Sequence, residues 1–124
     1  MYTVRVDKVN MIITFEVSGL IQLDELISIS QEVRYTLMQF KQSEVSILVI
    51  EEHLDPFPQE CLPIVIEIEK LILTHAKKGA SVCRRVVTRM QLNRVEESAR
   101  RCVNGIRIAR FASEREALDY LIRG

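Results

Sequence analysis

The chain has 124 residues, of which 48% are hydrophobic and 27% charged, and its 17 basic and 17 acidic side chains cancel. This length and composition are typical of one soluble globular unit, and we expect a single domain over residues 1–124. No apolar run approaches the roughly 20 residues that cross a bilayer, and the first residues lack a signal-peptide pattern. We therefore expect a cytoplasmic protein without a transmembrane segment.

Alternating apolar and polar side chains predict two strands at the start of the chain, joined by a turn at residues 9–10. The apolar members are Tyr2, Val4 and Val6 in the first strand and Met11, Ile13, Phe15 and Val17 in the second. A helix is predicted over residues 23–40 from an apolar stripe with helical spacing. That stripe consists of Leu26, Ile29, Val33 and Leu37.

The stretch from Val45 to Cys61 is the most informative part of the sequence. Residues 45–50 are apolar at almost every position, which predicts a central strand buried on both faces. The strand stops at two glutamates, and a loop with two prolines follows. Pro58 suits the first turn of a helix that is predicted to reach Ala76. In α/β folds, ligands bind where a buried strand ends and the next helix starts.

The rest of the chain predicts a strand over residues 80–87, a helix over 91–103 and a strand over 105–110. Ser113 and Glu116 form a capping box for a last helix. The order β-β-α-β-α-β-α-β-α predicts an α/β fold with a single mixed, mostly parallel five-stranded sheet. Because the first, second and last strands alternate, we expect helices mainly on one face and a partly open second face.

The balanced net charge conceals a strong asymmetry along the chain. Residues 1–70 carry 12 acidic and 5 basic side chains, a net charge of −7, and residues 71–124 carry the reverse. A basic half can mark a nucleic-acid surface, but these arginines are scattered and no aromatic residue interleaves them. We expect the halves to neutralise each other within the fold, and nucleic-acid binding is disfavoured.

The element order and two short motifs resemble the SpoIIAA-like group of the STAS superfamily, the fold of anti-sigma-factor antagonists. One motif is the second strand running through Ser18-Gly19 into the helix opened by Leu23-Asp24-Glu25-Leu26. The other is the strand at Ile106–Arg110, then Phe111 and the capped helix with Ala117-Leu118-Asp119-Tyr120-Leu121. The resemblance implies strands in sequential order with helices along one face.

In anti-sigma-factor antagonists, the loop after the central strand carries a serine whose phosphorylation switches partner binding. A phosphate at a helix N-terminus changes both charge and surface, which explains such a switch. Residues 51–61 of this chain contain no serine or threonine and four carboxylates. The family's switch therefore cannot operate at this loop.

Catalytic and metal chemistry were weighed against ordinary structural roles. His53 and Cys61 could form a base and a thiol nucleophile, but the carboxylates nearby would raise the thiol pKa and no orienting residue is identifiable. The acidic loop lacks the glycine and oxygen spacing of a calcium site. The widely spaced Cys61, Cys83 and Cys102 predict neither a disulfide framework nor a zinc site. We expect no catalytic residue, no metal and no cofactor.

The preferred hypothesis is a non-enzymatic STAS-like interaction or regulatory domain that binds a protein partner or a second copy of itself. The candidate binding residues are Glu51, Glu52, His53, Asp55, Phe57, Cys61 and Leu62. The alternative is a carrier of a small apolar or lipid-like ligand in a cleft between helices, with Phe57, Leu62 and Ile66 lining it. A further open question is whether the arginine-rich second half binds an anion.

Overall fold

The computed structural model describes residues 1–123 and contains five strands and four helices in that range. The strands are β1 (Tyr2–Asp7), β2 (Ile12–Val17), β3 (Ser46–Ile50), β4 (Gly79–Val82) and β5 (Ile108–Phe111). The helices are α1 (Leu23–Leu37), α2 (Leu62–His75), α3 (Val86–Arg100) and α4 (Glu114–Ile122), and a short 3-10 helix, Gln59–Cys61, precedes α2.

The sheet has the strand order β1-β2-β3-β4-β5, which is the order in the sequence. β1 pairs antiparallel with β2, and the other three pairs are parallel. This confirms the predicted mixed, mostly parallel α/β sheet with sequential strands. All parallel strands therefore end at one edge, which also carries the loop after β3.

Both faces of the central strand are covered, which explains its continuous apolar sequence. Ile47 belongs to a large core that includes buried side chains of α1, α2 and α3. Leu48 and Ile50 point the other way, into a smaller core with Ala117 and Leu121 of α4. Helices α1, α2 and α3 therefore lie on one face and α4 lies on the other. This confirms the prediction that the helices lie mainly on one face.

The boundaries of β4 and α3 were predicted wrongly. The sequence prediction extended the strand to residue 87 and began the helix at residue 91, whereas β4 ends at Val82 and α3 begins at Val86. The adjacent β-branched Val86 and Val87 favour a strand by intrinsic propensity. Tertiary packing overrides that preference because Thr88 and Leu92 already belong to the buried stripe of the helix.

Other boundaries differ by a few residues. The first helix ends at Leu37 rather than near residue 40, and β5 spans Ile108–Phe111 rather than residues 105–110. The turn at Pro58 leads into the 3-10 helix, and the proline in the first turn of α2 is Pro63. The capping box of α4 is confirmed, since the Glu116 amide donates to Ser113 Oγ over 3.3 Å.

Candidate functional site

The loop after β3 is hydrogen-bonded to two neighbouring segments, helix α3 and the segment that follows β2. The Gly19 amide donates to the His53 carbonyl over 2.8 Å, and the Asp55 amide donates back to the Gly19 carbonyl over 3.0 Å. The hydroxyl of Thr88 on α3 donates to the Leu54 carbonyl over 2.8 Å, and Leu54 is fully buried. The loop is thus a closed, well-packed segment rather than an open lid.

A side-chain amide of α3 fixes the second half of the same loop. The Phe57 amide donates to Gln91 Oε1 over 2.7 Å, and Gln91 Nε2 donates to the Phe57 carbonyl over 3.0 Å. These two bonds resemble the pair of N–H···O=C bonds that opposite residues exchange in an antiparallel sheet. The Phe57 ring is consequently held inward, where it is buried in the main core.

Replacing Thr88 with valine is expected to loosen this loop. The substitution keeps the shape of the buried side chain but leaves the Leu54 carbonyl without its donor, which costs about 1 to 3 kcal/mol. Urea unfolding measures the stability, and amide exchange at residues 53–57 reports local opening. Thr74→Val on α2 is the matched control, since the Thr74 hydroxyl bonds only carbonyls of its own helix. Unchanged exchange in the loop would contradict the tether.

The four carboxylates of the loop have different surroundings. Two of them pair with arginines, so the net negative charge at the loop is smaller than its sequence suggests. Glu52 forms an ion pair with Arg84 over 3.3 Å, and Asp55 forms one with Arg85. Glu51 is buried and Glu60 is exposed. The pairs with arginines of the second half agree with the predicted neutralisation across the fold.

The remaining candidate residues are dispersed around the loop. His53 is exposed, whereas Cys61 is fully buried and its Sγ faces the Ile21 carbonyl at 4.0 Å. Burial and the nearby Glu60 carboxylate raise the pKa of the Cys61 thiol, which opposes a nucleophilic role. Leu62 is half-buried against the main core.

Beneath the loop lies a cavity of about 80 Å³ between the sheet and helices α1, α2 and α3. Most of its wall is apolar and includes Phe57 from the loop, Ile29 from α1 and Val65 from α2. Its polar lining residues are Tyr2, Glu51, Glu69, Ser81 and Arg110. Phe57 was predicted to line such a pocket, but Leu62 and Ile66 lie outside the lining.

Glu51 reaches the cavity because it continues the alternation of β3. Its backbone amide donates to the Val82 carbonyl over 2.8 Å, which extends the β3–β4 ladder by one residue. Val49 also lines the cavity, so the side chain two residues further on points to the same place. The inward position of Glu51 could therefore have been inferred from the alternation of side chains along β3.

Burial of the Glu51 side chain, reinforced by the nearby Glu69 carboxylate, raises the pKa of Glu51 to about 8. Burial likewise raises the pKa of Glu69 to about 7, against an opposing effect of Arg110. Both carboxyl groups are thus substantially protonated at neutral pH. Glu69 lies four residues after Val65 on α2, so it shares the inward stripe of that helix.

Arg110 is the basic group of this cluster, and it makes two side-chain hydrogen bonds. It donates through Nη1 to Ser81 Oγ over 2.7 Å and through Nη2 to Glu96 Oε1 over 2.8 Å. Parallel register places Ser81 beside Val49 and Arg110 beside Ser81, so three adjacent strands build this end of the cavity. Sequence reasoning missed this cluster because strand register is not visible in a single chain.

Within residues 1–123, no group of three or more histidine, cysteine, aspartate or glutamate side chains is placed to hold a metal ion. No helix of the same range is long and apolar enough to cross a bilayer. What the site offers is a closed loop at the surface and, beneath it, an apolar cavity with an acidic end.

Comparison with known proteins identifies the fold. No family model and no curated protein matches the chain by sequence. By structure, it is similar to an uncharacterized protein with a SpoIIAA-like fold from Shewanella loihica, with a TM-score of 0.72 and 15% identity. That alignment covers 98% of this chain and 92% of the other.

Two further solved structures agree with this assignment. An anti-sigma factor antagonist from Mycobacterium paratuberculosis aligns with a TM-score of 0.66 and 14% identity, covering 100% of this chain and 96% of that one. The Bacillus cell fate determinant SpoIIAA, in its phosphorylated form, aligns with a TM-score of 0.60 and 14% identity, over 98% and 99% of the two chains. The predicted resemblance is confirmed: the chain has the SpoIIAA-like fold.

Proposed function

We propose that this protein is a non-enzymatic regulatory domain that binds a protein partner through the surface around the loop after β3. The observation that carries the proposal is a set of exposed apolar side chains beside the tethered loop. Leu20 follows Gly19, Val86 follows Arg85, Val87 precedes Thr88 and Met90 precedes Gln91. Each therefore adjoins a residue hydrogen-bonded to the loop. These four residues are called the loop-edge patch below.

The side chains of the loop-edge patch are more exposed to water than is favourable for apolar groups. The exposed fractions are 52% for Leu20, 57% for Val86, 67% for Val87 and 52% for Met90. Apolar side chains clustered on a rigid surface with charged neighbours are typical of protein interaction sites. The exposed Arg89 and the Arg84–Glu52 and Arg85–Asp55 pairs supply charged neighbours.

The similarity to named regulators supports a partner of this kind. The Mycobacterium protein is named an anti-sigma factor antagonist, a name that describes action on another protein. Because residues 51–61 contain no serine or threonine, we propose that binding here is not switched by phosphorylation at this loop. The buried Cys61 and the exposed His53 support a non-enzymatic role.

Replacing Val87 with aspartate is expected to weaken partner binding at least about ten-fold, because a charge would replace a central apolar contact. Aspartate in the first turn of α3 is compatible with folding, since the helix dipole favours it. The amount of cross-linked complex recovered from producing cells measures the effect. Val9→Asp, in the exposed turn between β1 and β2, is the control. Equal recovery with both variants would contradict the proposal.

Self-association through the same patch is distinguished by light scattering at low and high salt. A mass above that of the monomer, lost in Val87→Asp, would make the partner a second copy of the chain. A monomer at every ionic strength would count against a second copy as the partner.

A second candidate function, carriage of a small apolar ligand, is favoured by the cavity alone. Its apolar walls and limited polar end have the composition of small-molecule sites. Native mass spectrometry of the purified protein tests this function by detecting a co-purified ligand.

A further inference from the structure

Two buried polar atoms in the described part of the chain have no hydrogen-bond partner, and both belong to the same cavity. They are Tyr2 Oη and Glu51 Oε1. Glu51 is only 8% exposed, so water outside the protein does not satisfy its oxygen. Buried polar groups without partners are rare and costly, which makes their coincidence in one cavity informative.

The charge around the cavity is unbalanced. Glu51 and Glu69 line it together with Arg110, and Arg110 already donates to the Glu96 carboxylate and to Ser81. One guanidinium therefore faces three carboxyl groups, so negative charge exceeds positive charge at this end once Glu51 and Glu69 are ionised. A ligand that supplies donors and positive charge would complete the cluster.

We propose that this cavity binds a small organic ammonium ion, a primary amine with a short apolar body. The ammonium group would donate to Glu51 and lie near Glu69, and the apolar body would pack against Ile29 and Val65. The proposal rests on the ligand-carrying function described above and specifies the chemical class of the ligand.

Other occupants fit the cavity less well. A carboxylate ligand would bring a negative charge beside Glu51 and Glu69, which repel it once they are ionised. Water could pair with Glu51 Oε1, but it would leave the apolar part of the cavity unfilled. An amine satisfies the acceptor and the apolar wall with one molecule.

The cavity volume limits the size and affinity of the ligand. An engineered cavity of about 150 Å³ binds benzene, so by proportion the 80 Å³ cavity suits roughly three to four non-hydrogen atoms. n-Propylammonium, with four, is at the upper end of this range. With the highest ligand efficiencies known, four atoms give a dissociation constant of about tens of micromolar at best. Millimolar ligand and a sensitive method are therefore appropriate.

Binding should strengthen as pH rises, since the carboxyl groups must release protons to attract the cation. The raised pKa values of Glu51 and Glu69 place this change between about pH 6 and pH 9, where the amine stays charged. The polar and charged groups that face the cluster or its neighbours are Tyr2, Glu32, Glu69, Ser81, Cys83, Arg89, Glu96 and Arg110.

The test is a methyl-detected NMR titration of the whole chain with n-propylammonium chloride at pH 8.5 and pH 6. We expect saturable shifts at Ile29 and Val65, and binding at least about ten-fold weaker at pH 6. Glu51→Gln should weaken binding at pH 8.5 at least about ten-fold. Glu67→Gln, an exposed residue of the same helix as Glu69, should leave it unchanged.

Two matched probes separate the failure of this proposal from the failure of ligand carriage. If 1-propanol binds as tightly as the amine, or propionate binds more tightly, the ammonium proposal is overturned and ligand carriage stands. If none of the three probes shifts the cavity methyl groups and no ligand co-purifies, both are overturned.

Discussion

Raising the pH from about 5 to about 9 is expected to lower the free energy of unfolding by roughly 4 kcal/mol through ionisation of Glu51. The pKa of this carboxyl group is about 8 in the folded protein, against an ordinary value of 4.5. One pKa unit corresponds to about 1.4 kcal/mol, which sets the size of the effect.

The sign follows from proton uptake. Below the ordinary pKa, both states hold the Glu51 proton and there is no penalty. Between pH 4.5 and about 8, the unfolded chain releases the proton while the folded protein retains it, so stability falls with each pH unit. Above pH 8 both states are ionised and the penalty is complete. Glu69, with its pKa raised to about 7, adds a smaller loss in the same direction.

Glu51→Gln should remove most of this dependence and make the protein more stable than the wild type at pH 9. Denaturant unfolding at pH 5, 7 and 9 measures the effect, and Glu67→Gln provides a matched control that should follow the wild type. A stability profile that is flat in the wild type, or equally steep in Glu51→Gln, would contradict the burial of this carboxyl group.

Replacing Arg110 with glutamine is expected to destabilise the protein by about 2 to 4 kcal/mol at pH 8. Arg110 and Glu96 form a partly buried ion pair, with side chains 24% and 14% exposed. Removing one member of a buried pair leaves the other charge without compensation. Here it also removes the cation that lowers the pKa of Glu51 and Glu69. The loss should be smaller at pH 5, where both carboxyl groups are protonated.

The control is Arg107→Gln, an exposed position near the start of the same strand, for which we expect a change below about 0.5 kcal/mol. Arg110→Lys should rescue only part of the loss, because one ammonium does not reproduce the two-armed contact with Ser81 and Glu96. If Arg110→Gln and Arg107→Gln unfold at the same denaturant concentration, the cluster does not contribute to stability.

Sequence reasoning predicted the features that depend on local pattern. The apolar run at residues 45–50 indicated a strand covered on both faces, and the structure confirms it with α4 opposite the other helices. The capping box at Ser113 was recognised because both partners lie within one turn. The boundary of α3 was wrong because propensity at Val86 and Val87 competes with a buried stripe that only the fold defines.

The ion pairs and the buried cluster inside the fold were harder to predict from the sequence than the helices and strands. The loop after β3 was selected for its position at the end of a buried strand and was expected to be acidic, yet Glu52 and Asp55 pair with arginines more than 25 positions further along the chain. The inward position of Glu51 could have been inferred from its alternation with Val49. Its proximity to Arg110 depends on the register of three strands, which no local pattern contains.

The central proposal, a partner-binding surface at the loop-edge patch, is tested most directly by site-specific photo-cross-linking in producing cells. A photoreactive residue is placed at position 87 in one variant and at position 9 in another. We predict a discrete cross-linked product from position 87, of the same mass in repeated preparations, and none from position 9. No product from position 87, or the same product from both positions, would contradict the proposal.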